Sequence, residues 1–371
     1  MTAFYMVIAI DFAVAFLVGA SIIRMLLYVS YKNQLFDMPG DRKVHTHPIP
    51  RLGGMSFMPT LMLVVAISMG ILYRANLMPA PDPNNIVLVR LSFMLGSAML
   101  LYVVGILDDM TDLNYKIKLA VQFIAASLMA SSGLWLNNFY GLFGIYSVPF
   151  YIGMPFTVLL MVLITNAINM IDGIDGLASG IAIITLGLLT FIYLRERRFI
   201  FSTVSATMLG TLLAFWLYNM FGSQEKHTKL YMGDTGALTL GLILCFLIVS
   251  LCHFTGRNGL LTNGKYFAIL FSSLCIPILE VPRLFVTRII KGKSPFEADA
   301  NHIHHRLMRC GLSSRQALWI ILALDVTIVA MTAVMTRFLS ITAIFLIDTA
   351  IYVIIQLAIA RKVKLDTLPK E

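Results

Sequence analysis

Charge is scarce in this chain of 371 residues: only 13% are Asp, Glu, Lys or Arg, about half the share of a soluble domain. No polar stretch is long enough for an independent soluble domain, and a disordered or collagen-like chain is excluded by the 58% hydrophobic content. Paired cysteines are missing as well. Cys245, Cys252, Cys275 and Cys310 form no C-x-x-C unit, which removes a disulfide framework and a zinc ribbon. There is no Walker A or kinase glycine-rich motif, so ATP is not the evident donor of any group. Nor does any basic block alternate with aromatics, and the net charge of +9 reads as contact with anionic lipid, with no nucleic acid partner.

What the chain does have is apolar runs near the length of a ~30 Å hydrocarbon core. They predict an all-α polytopic membrane protein with about eleven spans (10–11), at roughly 3–29, 54–73, 87–107, 117–136, 150–168, 177–194, 199–218, 237–254, 266–286, 317–336 and 338–360. Residues 1–371 then form a single transmembrane catalytic domain with a short basic tail, 361–371. The first Lys or Arg is Arg24, so the first run reads as a retained span and not as a cleaved signal. Loops alternate between two faces, and Lys and Arg crowd one set at more than twice the other. The positive-inside rule puts that set in the cytoplasm and the N-terminus outside. The opposite loops read as plain connectors.

Acids are few, and six of the 19 Asp and Glu residues fall in three short segments of the cytoplasmic set. These are Asp108-Asp109-Met110-Thr111-Asp112, Asn169-Met170-Ile171-Asp172-Gly173-Ile174-Asp175-Gly176 and Gly233-Asp234-Thr235-Gly236. Adjacent carboxylates at a span end repel one another and persist most easily beside a cation. Hard oxygen donors of this number suit Mg²⁺, with Mn²⁺ as the alternative. Asn169, Asp172 and Asp175 recur every three residues and share a face if the turn is helical. Asp112 reads as a cap of the following span.

Two basic loops lie on the same face. His302-Ile303-His304-His305-Arg306 groups three imidazoles and a guanidinium able to donate to phosphate oxygens. Asp41-Arg42-Lys43-Val44-His45-Thr46-His47-Pro48-Ile49-Pro50-Arg51 adds further cations, with Lys43 and Arg51 as phosphate contacts. His227 and His253 stand alone and read as structural or solvated. Acid turns for a divalent cation beside basic loops for phosphates describe phosphoryl transfer at a membrane surface. A secondary transporter is the rival from another class. It would keep its ion sites near the bilayer midplane, often within repeats, whereas these acids sit at span ends and no repeat is visible.

The five segments resemble, in order, those of the bacterial polyprenyl-phosphate N-acetylhexosamine-1-phosphate transferases, which load the first sugar onto undecaprenyl phosphate. Pro-Ile-Pro-Arg-Leu-Gly-Gly, Asp-Asp-x-x-Asp-Leu, Asn-x-x-Asp-Gly-x-Asp-Gly, Met-Gly-Asp-Thr-Gly and His-Ile-His-His-Arg span about residues 36–310. The resemblance implies a Mg²⁺-dependent enzyme of the bacterial inner membrane with a cytoplasmic active site. It would take a UDP-N-acetylhexosamine, most simply UDP-GlcNAc, and undecaprenyl phosphate, and release UMP; homodimers occur among such proteins. Asp108, Asp109 and Asp172 match catalytic positions, and Asn169 and Asp234 match metal-facing ones. Gly173, Asp175, Asn219 and Tyr231 match a nucleotide pocket, and His302, His304, His305 and Arg306 a diphosphate and sugar loop. Phospho-MurNAc-pentapeptide translocases are the alternative, but Asp112 stands where they have Lys, and His-Ile-His-His where they have three consecutive histidines. Glu280 stands where Asp is usual and, with Arg283, reads as a paired charge near a span end.

Overall fold

The computed structural model describes residues 2–33, 49–75, 85–253, 260–295 and 301–366. Thirteen helices follow in order among them: α1 (Thr2–Asn33), α2 (Phe57–Arg74), α3 (Ile86–Thr111), α4 (Tyr115–Ser131), α5 (Phe150–Ile171), α6 (Leu177–Arg195), α7 (Phe199–Phe221), α8 (Gly233–His253), α9 (Leu260–Ser272), α10 (Cys275–Ile290), α11 (Ile303–Arg309), α12 (Ser314–Met335) and α13 (Ile341–Asp366). Nine of the described helices are long and apolar enough to cross a membrane. The expected span at 266–286 is not one straight helix: α9 and α10 meet at a 61° bend. Ser272-Ser273-Leu274 leads there into Pro277, whose ring cannot continue a helical hydrogen-bond ladder from the preceding segment. The span expected at 117–136 is α4, whose 17 residues are at the lower limit for a span.

Three further expectations change. The connector after α4 contains a two-stranded antiparallel hairpin, β1 (Asn138–Leu142) and β2 (Ile145–Ser147). The tail placed at residue 361 begins as helix, since α13 continues to Asp366. Asp112 does not cap the next helix. It ends α3 in a left-handed conformation (φ 51°), and the α4 N-cap is Asn114, whose side chain accepts from the Lys116 amide.

The centre of the bundle is α8. Its apolar residues run all round the helix, the pattern of a buried element, and every residue from Thr235 to Cys252 is buried. Glycine lets its neighbours approach. A β-carbon on Gly105 of α3 would collide with the Thr235 Cα, and one on Gly241 would lie 2.7 Å from the Thr165 Cα of α5. Small residues at such crossings are how helices pack closely in a membrane, where apolar burial gives little drive between helices. Tyr193 of α6 is fully buried, stacks on Phe201 at 5.2 Å and donates to the Leu247 carbonyl at 2.5 Å.

Candidate active site

The N-terminus of α8 is the point on which the acidic segments converge. Four N–H groups at a helix start have no partner within the helix. Here the partner comes from another helix: Asp109, in the last turn of α3, accepts from the Asp234 amide at 2.7 Å, the Thr235 amide at 3.0 Å and the Thr235 hydroxyl at 2.6 Å. The negative carboxylate also complements the positive end of the helix dipole. Gly233 opens the turn with φ 72°, and a β-carbon there would collide with the Arg51 carbonyl and the Asp109 carboxylate. The first basic loop is joined to this turn through main-chain hydrogen bonds. The Tyr231 amide donates to the Pro50 carbonyl, and Gly53 and Gly54 donate to the carbonyls of Tyr231 and Met232, all at 2.8–2.9 Å.

Asp108 lies beneath its neighbour. It is 2% exposed and accepts from the Leu113 amide at 2.7 Å and from Lys118 Nζ at 2.8 Å. The same ammonium reaches Asp234 at 3.4 Å. Asp234 also accepts from the Asn169 side-chain amide. The repeat Asn169, Asp172, Asp175 is only partly helical: α5 ends at Ile171, Asp172 is its C-cap, and Asp175 lies in the turn before α6. All three nonetheless line the same cavity. Asp172 is pushed up to about 7 by burial and by the charges of Asp175, Asp234 and Asp109. Asp175 pairs with Lys229 at 2.5 Å, and Lys229 also donates to the Asn219 carbonyl at 2.6 Å. The Asn219 side chain is committed on both sides, accepting from the Gly176 amide at 2.6 Å and donating to the Leu230 carbonyl at 2.9 Å.

The cavity measures about 750 Å³ and is lined by Arg51, Asp109, Asn169, Asp172, Gly173, Asp175, Asn219, Tyr231, Asp234 and His305, with Ser223, Gln224, Glu225 and Lys229 at one end. All five chemically suggestive segments therefore reach one cavity. The histidine loop divides its members. His305 lines the cavity. His304 is 1% exposed and packs on Gly173, where a β-carbon would collide with its Nε2. Burial, then the nearby His305 and His302, push it down to about 2, so it stays neutral at any physiological pH. His302 precedes α11 and stacks on His304 with ring centroids 5.5 Å apart. Arg306 does not line the cavity. Its guanidinium turns to α13 and donates to both the side chain and the main-chain carbonyl of Gln356. Lys43 lies outside the described residues.

Among the described residues no three His, Cys, Asp or Glu side chains are close enough to ligate one ion by themselves. The cavity nevertheless offers hard oxygen donors at Asp234, Asn169 and Asp172, and its carboxylates outnumber its cations. That donor set fits a cation which takes one or two protein oxygens and completes its shell from phosphate and water, the habit of Mg²⁺.

Lys118, Lys229 and Thr235 were not singled out from sequence. Lys118 carried a usable signal, an ionisable residue inside an apolar span. Lys229 sits in a polar loop, where nothing in the sequence pairs it with Asp175. Glu280 does pair with Arg283, at 2.5 Å, and also accepts from the Ile303 amide at 2.8 Å and from Tyr352, tying α10, α11 and α13 together. His253 bonds the Trp135 carbonyl at 2.8 Å, and the His227 ring lies 4.2 Å from that of Tyr31, both structural roles.

Comparison with known proteins agrees with this geometry. Residues 91–252 match glycosyl transferase family 4. The chain is 31% identical over 325 residues to a probable undecaprenyl-phosphate N-acetylglucosaminyl 1-phosphate transferase of Bacillus subtilis (strain 168), covering 85% of this chain and 81% of the relative. It is 28% identical to the undecaprenyl-phosphate alpha-N-acetylglucosaminyl 1-phosphate transferase of Yersinia pestis (86% and 81% covered) and 28% identical to the decaprenyl-phosphate N-acetylglucosaminephosphotransferase of Mycobacterium leprae (81% and 76%). With an acid-lined cavity at the mouth of a helical membrane bundle and relatives matched over most of their length, the chain belongs to glycosyl transferase family 4, the polyprenyl-phosphate N-acetylhexosamine-1-phosphate transferases.

Proposed function

We propose that the protein transfers N-acetylglucosamine-1-phosphate from UDP-GlcNAc to undecaprenyl phosphate, releasing UMP, at the cytoplasmic face of a bacterial inner membrane with its N-terminus outside. The observation that carries this reading is the convergence of Asp109, Asn169, Asp172, Asp175 and Asp234 on one cavity beside Arg51 and His305. The relatives' names support the sugar and the lipid acceptor. They favour this reading over the phospho-MurNAc-pentapeptide translocase, as does Asp112 in the sequence.

In the reaction a non-bridging oxygen of the lipid phosphate bonds to the sugar-bearing phosphorus. The bond from that phosphorus to the bridging oxygen breaks, and UMP departs with the electron pair. The acceptor needs little activation, because a phosphate monoester has a second pKa of about 6. The obstacle is the approach of two anions. Mg²⁺, held by Asp234 and Asn169 with Asp172 beside them, would neutralise phosphate charge. The chain's own part is positional. Asp109 fixes the Asp234 turn through three hydrogen bonds, and Lys118 holds Asp108 and Asp234 together. Lys229 and Asp175 shape the end lined by Asn219 and Tyr231, where the nucleoside would sit. Arg51 and His305 flank the phosphates as donors, and Asp172 can accept the residual proton of a monoanionic acceptor.

Purified protein given UDP-GlcNAc, undecaprenyl phosphate and Mg²⁺ should release UMP. Asp234→Asn should stop release while the protein stays folded. Full turnover in that variant, or release from UDP-MurNAc-pentapeptide alone, would reject the assignment.

A further inference from the structure

A second cavity, of about 800 Å³, lies between α10 and α13 and opens beside α11. Its walls are apolar and include Leu279, Val286, Val353 and Leu357. Val286, Val353 and Leu357 are 56%, 45% and 64% exposed, so they face the surroundings of the bundle and not its core. Among the described residues four cations border the cavity: Arg283 and Arg306 lie about Glu280 and Gln356, and Lys291 and Arg309 complete the set. Leu279 and Lys291 are twelve residues apart along the same helical segment, so the trough is ~18 Å long at 1.5 Å per residue.

Charge in this trough is unbalanced. Among the described residues no carboxylate lines it; Glu280 stands behind Arg283 and offsets one of the four cations. Arg306 is held below its ordinary value by burial and by the Arg283 charge, so an anion beside them would relieve a repulsion already present. An apolar, outward-facing trough bordered by cations complements an amphiphile with an anionic head. The active-site cavity differs in being lined by carboxylates.

We propose that the α10–α13 trough binds an anionic membrane phospholipid, its phosphate held by Lys291, Arg306 and Arg309 and one acyl chain laid along Leu279, Val286, Val353 and Leu357. The site is separate from the reaction cavity but shares α11 with it, since His305 lines one and Arg306 the other. The bound head would therefore hold in place the helix that presents His305. The proposal goes beyond the transferase reading and its test does not depend on turnover.

The test is retention of lipid by full-length protein released from nanodiscs of equal phosphatidylglycerol and phosphatidylcholine, counted by native mass spectrometry. The wild type should keep one phosphatidylglycerol and little phosphatidylcholine. The double variant Lys291→Gln/Arg309→Gln should lose at least ~10-fold of that preference, each lipid-facing cation near a membrane contributing about 1 kcal/mol. Lys291→Arg/Arg309→Lys should keep it. Leu357→Trp, at an exposed position, fills the trough without touching charge, and should also expel the lipid; it decides the question if the double variant does not fold. Equal retention of the two lipids by the wild type would overturn the proposal, as would unchanged retention in the folded variants. Added undecaprenyl phosphate displacing the phosphatidylglycerol at equimolar ratio would overturn it too, by assigning the trough to the substrate lipid.

Discussion

Asp109 is expected to act by position before it acts by charge transfer, and two substitutions separate these roles. Its carboxylate accepts three hydrogen bonds at 2.6–3.0 Å from the first turn of α8. In Asp109→Asn one oxygen becomes an NH₂ group facing donors. The variant loses the charge at the helix start, worth about 0.3–1 kcal/mol and up to ~2 when partly buried, and leaves a buried donor unmatched at roughly 1–3 kcal/mol. The sum is about 1–5 kcal/mol of local stability, enough to let the Asp234 turn relax. Thr235→Val removes only the hydroxyl donor and should cost about 1 kcal/mol, close to a fivefold change if it is felt fully in turnover, with every ionisable group retained. Thermal midpoints in detergent and UMP release across pH read both variants. Asp109→Asn should lower the midpoint and abolish release. Thr235→Val should lower release severalfold with an unchanged pH profile. An inactive Asp109→Asn with a wild-type midpoint, together with a fully active Thr235→Val, would refute positioning and leave a proton acceptor.

Asp172 supplies a pH dependence. Its carboxyl is raised from 3.8 to about 7, so the folded protein favours the protonated form; this stabilisation is complete below pH 3.8 and is lost as pH rises through about 7. Divalent-cation binding, measured by calorimetry, should tighten by up to ~10-fold per pH unit below about 7 and level off above it, and Asp172→Asn should flatten the slope. Gly173→Ala should dislodge His304, whose Nε2 occupies the place of the added carbon; overpacking of about 1–3 kcal/mol and a large loss of UMP release are expected, and wild-type values for both would show that the close contact does not matter. Glu280→Gln should take the charge partner from the half-buried Arg283 and loosen α11, at about 1–3 kcal/mol, read as a lowered thermal midpoint.

The helical bundle and the meeting of five loops were legible in the sequence, because apolar run length and loop parity are one-dimensional signals. Asp108 and Asp109 show how far such signals reach. Their adjacency marked the pair, but only the crossing of α3 over α8 decides that Asp109 faces the cavity while Asp108 is held below it by Lys118. Arg306 shows the converse. Its place in the histidine run suggested phosphate, yet one helical step turns it from His305 toward Gln356, and seven residues of α11 are too few for periodicity to reveal which face is which. The bend at Ser272–Cys275 was hidden because both halves are apolar, and the α8 cap because its donor and acceptor lie 125 residues apart.

The glycines around the start of α8 set a boundary on how this scaffold can diversify. Gly54 faces Gly236, Gly105 faces Thr235 and Gly233 faces Asp109, each pair separated by less than a methyl group's width. The acidic end is thus closely packed at its glycines, and a larger residue at any of them would have to part the helices. Freedom to vary must reside in lining side chains outside these contacts, such as Gln224, Glu225 and Ser314. One scaffold could then accept altered ligands by redecorating those positions while its acidic end stays fixed.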